Sequence, residues 1–346
     1  MRLFTCWTAF VFLFTLLVSC SKDHPANPEQ SCQFAGKSYR LEQLTSGYES
    51  TETYESHIAY DDEGRLSEFS VLQTSDVNPG KQFPITVNQE ETYVFKYDLE
   101  GFLVEIKKHE SINHTGNISY NDYGQFKKGR IETDETTTFT YVNKLIESYL
   151  RKTLTVVKGD ENAPKNYEYR AGKTYKYDAQ GVIQQTILTN RNGGKSITTF
   201  RNGIREMTIN QDGTQTAKYD EKGRTASSGN VVIAYDNNDN IILYQTYVQS
   251  NLSVTDNRTY DDKVNPESLI PFRFKGIPED MPYLRYTEGK NNQVKSTYSY
   301  PTQDGYTKNI VWQYNSNGLP ITSTSAIDKP GSIQKQVTTY RYENCN

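Results

Sequence analysis

The sequence predicts an all-β protein: a long antiparallel meander of roughly twenty strands, curled or closed into a large barrel-like sheet standing in water. Three observations lead there. The 346 residues include 27 Tyr and 14 Phe, an aromatic load that supports strands and a packed body rather than a disordered chain. Helical periodicity is absent nearly everywhere, and period-two runs replace it, as where Ile204, Glu206 and Thr208 alternate with Arg205, Met207 and Ile209. Finally, one hairpin unit recurs along the chain.

At the start, Met1 and Arg2 precede an uncharged apolar stretch over residues 3–18 that is too short to be a stable span, so residues 1–19 read as a signal peptide. It ends in Leu17-Val18-Ser19-Cys20, which resembles the lipobox of bacterial lipoproteins; that resemblance makes Cys20 the lipidated first residue of the mature chain. Residues 20–31 have no apolar period and contain Pro25 and Pro28, the composition of a solvated tether. Ser21 follows the Cys where an inner-membrane retention signal would have Asp, so an outer-membrane anchor is expected, on either the periplasmic or the surface face.

Residues 32–346 read as a single domain, and its two cysteines, Cys32 and Cys345, lie at its two ends. In an oxidising compartment that placement favours a disulfide closing the fold, a loop worth roughly 5 kcal/mol in the chain-entropy model. The alternative is two unpaired surface thiols.

The recurring unit is an aromatic-ended strand, Tyr-Asp or Tyr-Asn, two polar residues, Gly, and a second β-rich run. Its clearest copies are Tyr60-Asp61 with Gly64, Tyr97-Asp98 with Gly101, Tyr177-Asp178 with Gly181, Tyr219-Asp220 with Gly223, and Tyr314-Asn315 with Gly318. Weaker copies begin at Tyr120, Tyr235 and Tyr260. Tyr suits a strand, the Asx side chain accepts from amides two residues on, and Gly takes the positive φ at which the chain reverses. One segment departs from this pattern. Over residues 265–284, Pro266, Pro271, Pro278 and Pro282 punctuate Phe272, Phe274, Ile277 and Met281, which forbids a central strand and predicts a looped insertion covering one end of the sheet.

The Tyr-Asp-x-x-Gly-Arg-Leu unit resembles the YD repeat of Rhs-type bacterial surface proteins. The order of lipobox, Cys32 region, Tyr260-Asp261-Asp262-Lys263-Val264-Asn265-Pro266, a Pro- and Phe-containing segment, and Tyr314-Asn315-Ser316-Asn317-Gly318-Leu319-Pro320 is similar to Bacteroidota lipoproteins of the DUF4595-like group. That resemblance implies a porin-like curled meander on a lipid anchor and carries no active-site residue with it. A membrane-crossing barrel is disfavoured at this stage, because stretches such as 133–138 and 165–177 put charge or hydroxyl on both faces.

Composition narrows function further. With 38 Lys plus Arg against 42 Asp plus Glu, a net charge of -4 leaves no basic footprint for nucleic acid. Gly36-Lys37-Ser38, Gly172-Lys173-Thr174 and Gly194-Lys195-Ser196 mimic the end of a phosphate loop, but Ser31, Tyr167 and Thr189 stand where its first Gly belongs. His24, His57, His109 and His114 lack metal-ligand spacing, and residues 236–240 lack the Gly and Glu of a calcium loop. No catalytic residue, metal or cofactor is therefore expected. Trp312 reads as a core strand residue. The reading that remains is a lipid-anchored envelope module that binds a glycan or a protein, followed by a structural or accessory subunit and then a polysaccharide hydrolase.

Overall fold

The computed structural model describes residues 32–344, apart from 46–47, 78–84, 121–123, 160–164, 273, 279–288 and 330–331. Twenty strands form one sheet. The first eight are β1 (Gln33–Thr45), β2 (Tyr48–Tyr60), β3 (Leu66–Val77), β4 (Ile85–Tyr97), β5 (Leu103–Tyr120), β6 (Gly124–Val142), β7 (Leu145–Gly159) and β8 (Lys165–Tyr177). Shorter ones follow: β9 (Ile183–Thr189), β10 (Lys195–Arg201), β11 (Ile204–Asn210), β12 (Gln215–Tyr219), β13 (Thr225–Ser228), β14 (Val231–Tyr235) and β15 (Ile241–Val248). The last are β16 (Asn251–Val264), β17 (Asn291–Ser299), β18 (Tyr306–Tyr314), β19 (Pro320–Lys329) and β20 (Ser332–Glu343), with a short 3₁₀ helix at Pro266–Leu269 between β16 and β17.

Each strand pairs antiparallel with the next, and β1 pairs with β20 from Gln33↔Glu343 to Thr45↔Ser332, so the meander closes on itself. The wall is uneven. With 19 residues β6 runs about 60 Å, whereas β13, with 4, runs about 13 Å. β1–β8 thus make a tall wall and β9–β15 a low one.

In an up-and-down meander the turns after even-numbered strands all lie at one end. There the Tyr-Asp units do the reversing. In the first, the Asp61 amide donates to the Arg65 carbonyl and the Gly64 amide to the Asp61 carbonyl, each at 2.9 Å, while Asp61 Oδ1 accepts from the amides of Glu63 and Arg65. The same Asx pattern recurs at Asp98, Asp178, Asp220 and Asn315. Gly64 sits at φ 74° and Gly223 likewise at φ 74°, a conformation that a Cβ penalises. Each of these turns shifts the register by one residue at its tyrosine, as between Ala59 and Tyr60, placing the ring over the preceding strand.

The weaker copies fare differently. Residues 236–240 make the same turn with Asp239 in the glycine position at φ 64°. The turn after Tyr120 lies outside the described residues, and Tyr260 stays within β16.

Inward positions at the turn end form the core: Phe34, Ile58, Leu66, Phe69, Phe95, Leu103, Ile106, Phe139, Ile146, Tyr175 and Ile183, joined by Ile270, Phe274 and Ile277 of the insertion.

One part of the expected fold class needs correction. The structure is a fully closed 20-stranded antiparallel barrel, and nothing in it supports the expectation that it stands in water. Closure leaves the sheet without a free edge strand, which a barrel in lipid requires and a barrel in water permits. The outer face also exposes Leu72, Leu150, Leu154, Ile242 and Val337 among its charges. Charge alternation in single strands does not reveal closure, because closure depends on pairing between the first and last strands.

A candidate binding chamber

A circular 20-stranded wall encloses more space than its own side chains fill. At the turn end the insertion supplies the difference. Phe274 stacks on Phe95 with ring centroids 5.8 Å apart and lies 6.5 Å from Tyr97, while Phe272 meets Phe69 edge-on at 6.5 Å. Polar ties hold it there: Ile146 donates its amide to the Gly276 carbonyl at 3.2 Å, Lys275 Nζ donates to the Glu100 carbonyl at 2.7 Å, and Lys37 pairs with Glu267. Gly276 is at φ 77°, and a Cβ there would lie 2.9 Å from the Lys144 carbonyl oxygen, so the chain passes where no side chain fits. The insertion is the floor of the barrel.

Above the floor, the inner face of the tall wall carries ions. Lys108 pairs with Glu91 and lies 3.2 Å from Glu110. Gln89 Nε2 donates to Glu110 Oε1 at 2.8 Å, Tyr93 donates its hydroxyl to Glu91 at 2.6 Å, and the Lys108 ammonium stands 5.4 Å from the Tyr93 ring centroid. On β6, Glu135 accepts from the Thr153 hydroxyl at 3.2 Å and lies 3.7 Å from Arg151.

The opposite wall carries aromatics. Around the β17–β18 hairpin, Tyr298 and Tyr306 stack at 4.5 Å and Tyr300 lies 6.3 Å from Tyr306. Lys329 Nζ stands 5.7 Å from the Tyr306 centroid and 5.8 Å from that of Tyr300. Asp256, only 2% exposed, is in register with Tyr244 on one side and Tyr298 on the other. Its Oδ2 accepts from Arg258 Nε at 2.7 Å, whereas its buried Oδ1 has no donor among the described residues. Gly305 keeps this hairpin tight, since a Cβ there would fall 2.1 Å from the Tyr298 carbonyl oxygen.

The residues singled out from the sequence sit elsewhere. Cys20 and Cys345 lie outside the described residues, and Cys32 stands just before β1. The Tyr-Asp units form a belt at the floor end. There Tyr60, Tyr97, Tyr141, Tyr177, Tyr260 and Tyr342 donate their hydroxyls to the carbonyls of Phe34, Leu66, Leu103, Ile146, Ile241 and Pro320, at 2.8 to 2.9 Å. These are structural roles. Trp312 faces inward, stacks on Tyr340 at 5.5 Å and donates Nε1 to the Gln293 carbonyl at 2.8 Å. Gly36 and Gly172 lie within strands β1 and β8, and Gly194 at a hairpin, so none of the three opens a helix. His109 pairs with Asp134 at 2.8 Å on the outer face. Sequence reasoning missed Lys108, Glu135, Asp256, Arg258 and Lys329; their one signal was charge at inward parity in aromatic-rich strands, which cannot be told from the outward parity without the register.

No family model matches the chain, and no curated protein matches it in sequence. In fold it is similar to a porin-like protein from Bacteroides uniformis, with a TM-score of 0.35 and 11% identity over 90% of this chain and 96% of that one. A porin-like protein from Bacteroides vulgatus matches with a TM-score of 0.22 and 10% identity over 88% and 98%. The alcaligin outer membrane receptor FauA from Bordetella pertussis matches with a TM-score of 0.27 and 9% identity over 88% and 76%.

Proposed function

We propose that this chain is a lipid-anchored outer-membrane barrel whose chamber, floored by residues 265–272 and 274–278, binds a glycan without transforming it. The lipobox ending at Cys20 supports the anchor and the envelope location. One observation carries the binding reading: the inner wall above the floor is lined by tyrosine faces, paired ions and an unanswered buried carboxylate oxygen, where a structural core would be apolar. Stacking rings beside hydrogen-bonding groups are what sugar rings require.

The proposed domain plan is a signal peptide over residues 1–19, a tether over 20–31 and the barrel from 32. A Cys32–Cys345 bridge completes it: Cys32 is disulfide-bonded, and the Gln33↔Glu343 register together with the 2.7 Å hydrogen bond from Asn344 to Gln33 brings the chain ends side by side.

The test is a glycan array probed with the purified full-length protein, with Trp312 fluorescence followed on titration of any hit. Saturable binding to one glycan class supports the reading, and a blank array overturns it. A second reading, an accessory envelope subunit, is favoured by the outer groove in which Leu72 and Val337 lie exposed beside Arg40, Thr53 and Thr339; crosslinking in whole cells tests it.

A further inference from the structure

Independently of what the chamber holds, we infer that the mouth half of β8 is a docking edge on which an extended segment of a partner protein adds as one more strand. β8 pairs with β7 from Lys165↔Val157 to Thr174↔Ser148, but with β9 only from Gly172 to Tyr177. Residues 165–171 therefore have a ladder on one side alone among the described residues. That stretch is about 23 Å of edge, and every second residue turns its amide and carbonyl toward the gap above the β9–β10 turn. Closure gives every strand two neighbours, yet it gives β8 none on this side beyond the point where the low wall stops. Such an edge is the template for strand addition.

The side chains say what fits. On the outer face Glu168 and Arg170 are 65% and 67% exposed and meet each other at 3.5 Å. An exposed pair on one strand is weakly coupled, so both charges are available to residues directly opposite. Lys152 is in register with Arg170, and Arg191 of the β9–β10 turn stands 5.2 Å from the Tyr169 ring centroid, so the lower end of the gap is positive. Leu154 is the neighbour of Glu168, which leaves that carboxylate as the charge at its level. On the inner face Tyr167 and Tyr169 lie near-parallel at 6.5 Å. The matching segment is extended, carries an acidic residue opposite Arg170 and a basic one opposite Glu168, and turns β-branched residues inward beside the tyrosines.

A second copy of this chain does not fit. Antiparallel pairing of β8 with itself that sets Glu168 against Arg170 would carry residues 165 and 166 of the copy opposite Lys173 and Gly172, where β9 already pairs. A lone extended segment has no turn or neighbouring strand to collide there.

The experiment is calorimetric titration of the full-length protein with a capped heptapeptide, Val-Asp-Val-Lys-Val-Thr-Val, which in the antiparallel sense sets its Asp opposite Arg170 and its Lys opposite Glu168. A second peptide with Asp and Lys exchanged is titrated beside it, and both are repeated on the double variant Glu168→Arg with Arg170→Glu. The parent should prefer the first peptide by about tenfold, because two opposite-charge pairs become like-charge pairs, and the double variant should reverse the preference. N-methylation of one alternate set of peptide amides should abolish binding while the other set tolerates it, and hydrogen exchange should slow within residues 165–171. Both substituted side chains are exposed, so the variants report on docking rather than folding. Absence of binding by both peptides, a preference that the double variant leaves unreversed, or protection confined to other strands overturns the inference. Self-association of the chain that Arg170→Glu removes would assign the edge to a second copy, and protection of residues 165–171 lost on deleting residues 21–31 would assign it to the chain's own tether; either result also overturns it. None of these outcomes bears on glycan binding in the chamber, which the array decides.

Discussion

Tyr97 donates its hydroxyl to the carbonyl oxygen of Leu66 at 2.8 Å, reaching from the end of β4 back to the start of β3. The same reach repeats at Tyr60, Tyr141, Tyr177, Tyr260 and Tyr342, so these hairpins are tied to a neighbouring strand by a phenol. The one-residue register shift at the tyrosine aims the ring along the sheet. The recurrent Tyr of the Tyr-Asp unit is thus explained by a hydrogen bond as well as by strand preference.

Tyr97→Phe should therefore cost about 1–2 kcal/mol, because a part-buried carbonyl loses its donor while the ring is kept. Tyr219→Phe should cost less, since among the described residues that hydroxyl meets the Thr208 hydroxyl, at 3.0 Å, which can turn to Thr198 instead. Chemical denaturation of both variants against the parent measures the difference; equal losses would assign the tyrosine belt to packing alone.

The floor is predicted to be held mainly by Phe274, which is 7% exposed between Phe95 and Tyr97. Phe274→Ala should lower stability by about 3–5 kcal/mol, the range for deleting a buried aromatic. Protease digestion should then open the insertion near Lys275 before the strands are cut. Uniform loss of the whole barrel at the same protease concentration would show that floor and wall unfold as one unit.

Acid should weaken the turns. At Asp61 and Asp220 burial works against the charge, but backbone amides and the guanidinium groups of Arg65 and Arg224 outweigh it and hold both carboxyls below their ordinary range. The unfolded chain then takes up protons first as pH falls. The stabilisation is complete above the unfolded value near 4 and is lost as pH drops through the lower folded value. The variant Asp61→Asn with Asp220→Asn should keep the turns, as Asn315 does with its amide oxygen, and should show a flatter decline in thermal midpoint between about pH 4 and pH 2. A slope identical to the parent's would place the acid sensitivity elsewhere.

Non-reducing peptide mapping is expected to recover Cys32 linked to Cys345. Reduction should lower stability by about 5 kcal/mol in the chain-entropy model, because the loop spans the whole barrel. Free thiol at both positions would disprove the bridge and leave the β1–β20 ladder as the only closure.

Much of the wall was legible from local chemistry. The Tyr-Asp-x-x-Gly units marked hairpins at residues 60–64, 97–101, 177–181, 219–223 and 314–318, since an Asx acceptor and a positive-φ glycine act within five residues of chain. Proline density likewise marked 265–284 as a break. The candidate site was not legible. Lys108, Asp256 and Lys329 look like any solvated charge until pairing sets which parity faces inward, and a slip of one residue would turn each of them outward.

By itself the sequence determined the strand-rich class, the reversals and the interruption, all properties of contacts between near neighbours. Only the tertiary structure decided closure, through the pairing of β1 with β20 some three hundred residues apart, and with it the chamber, its floor and the rings at its mouth. The physical reason is range: a turn is satisfied by its own amides, whereas an inner wall exists only once both ends of the sheet have met.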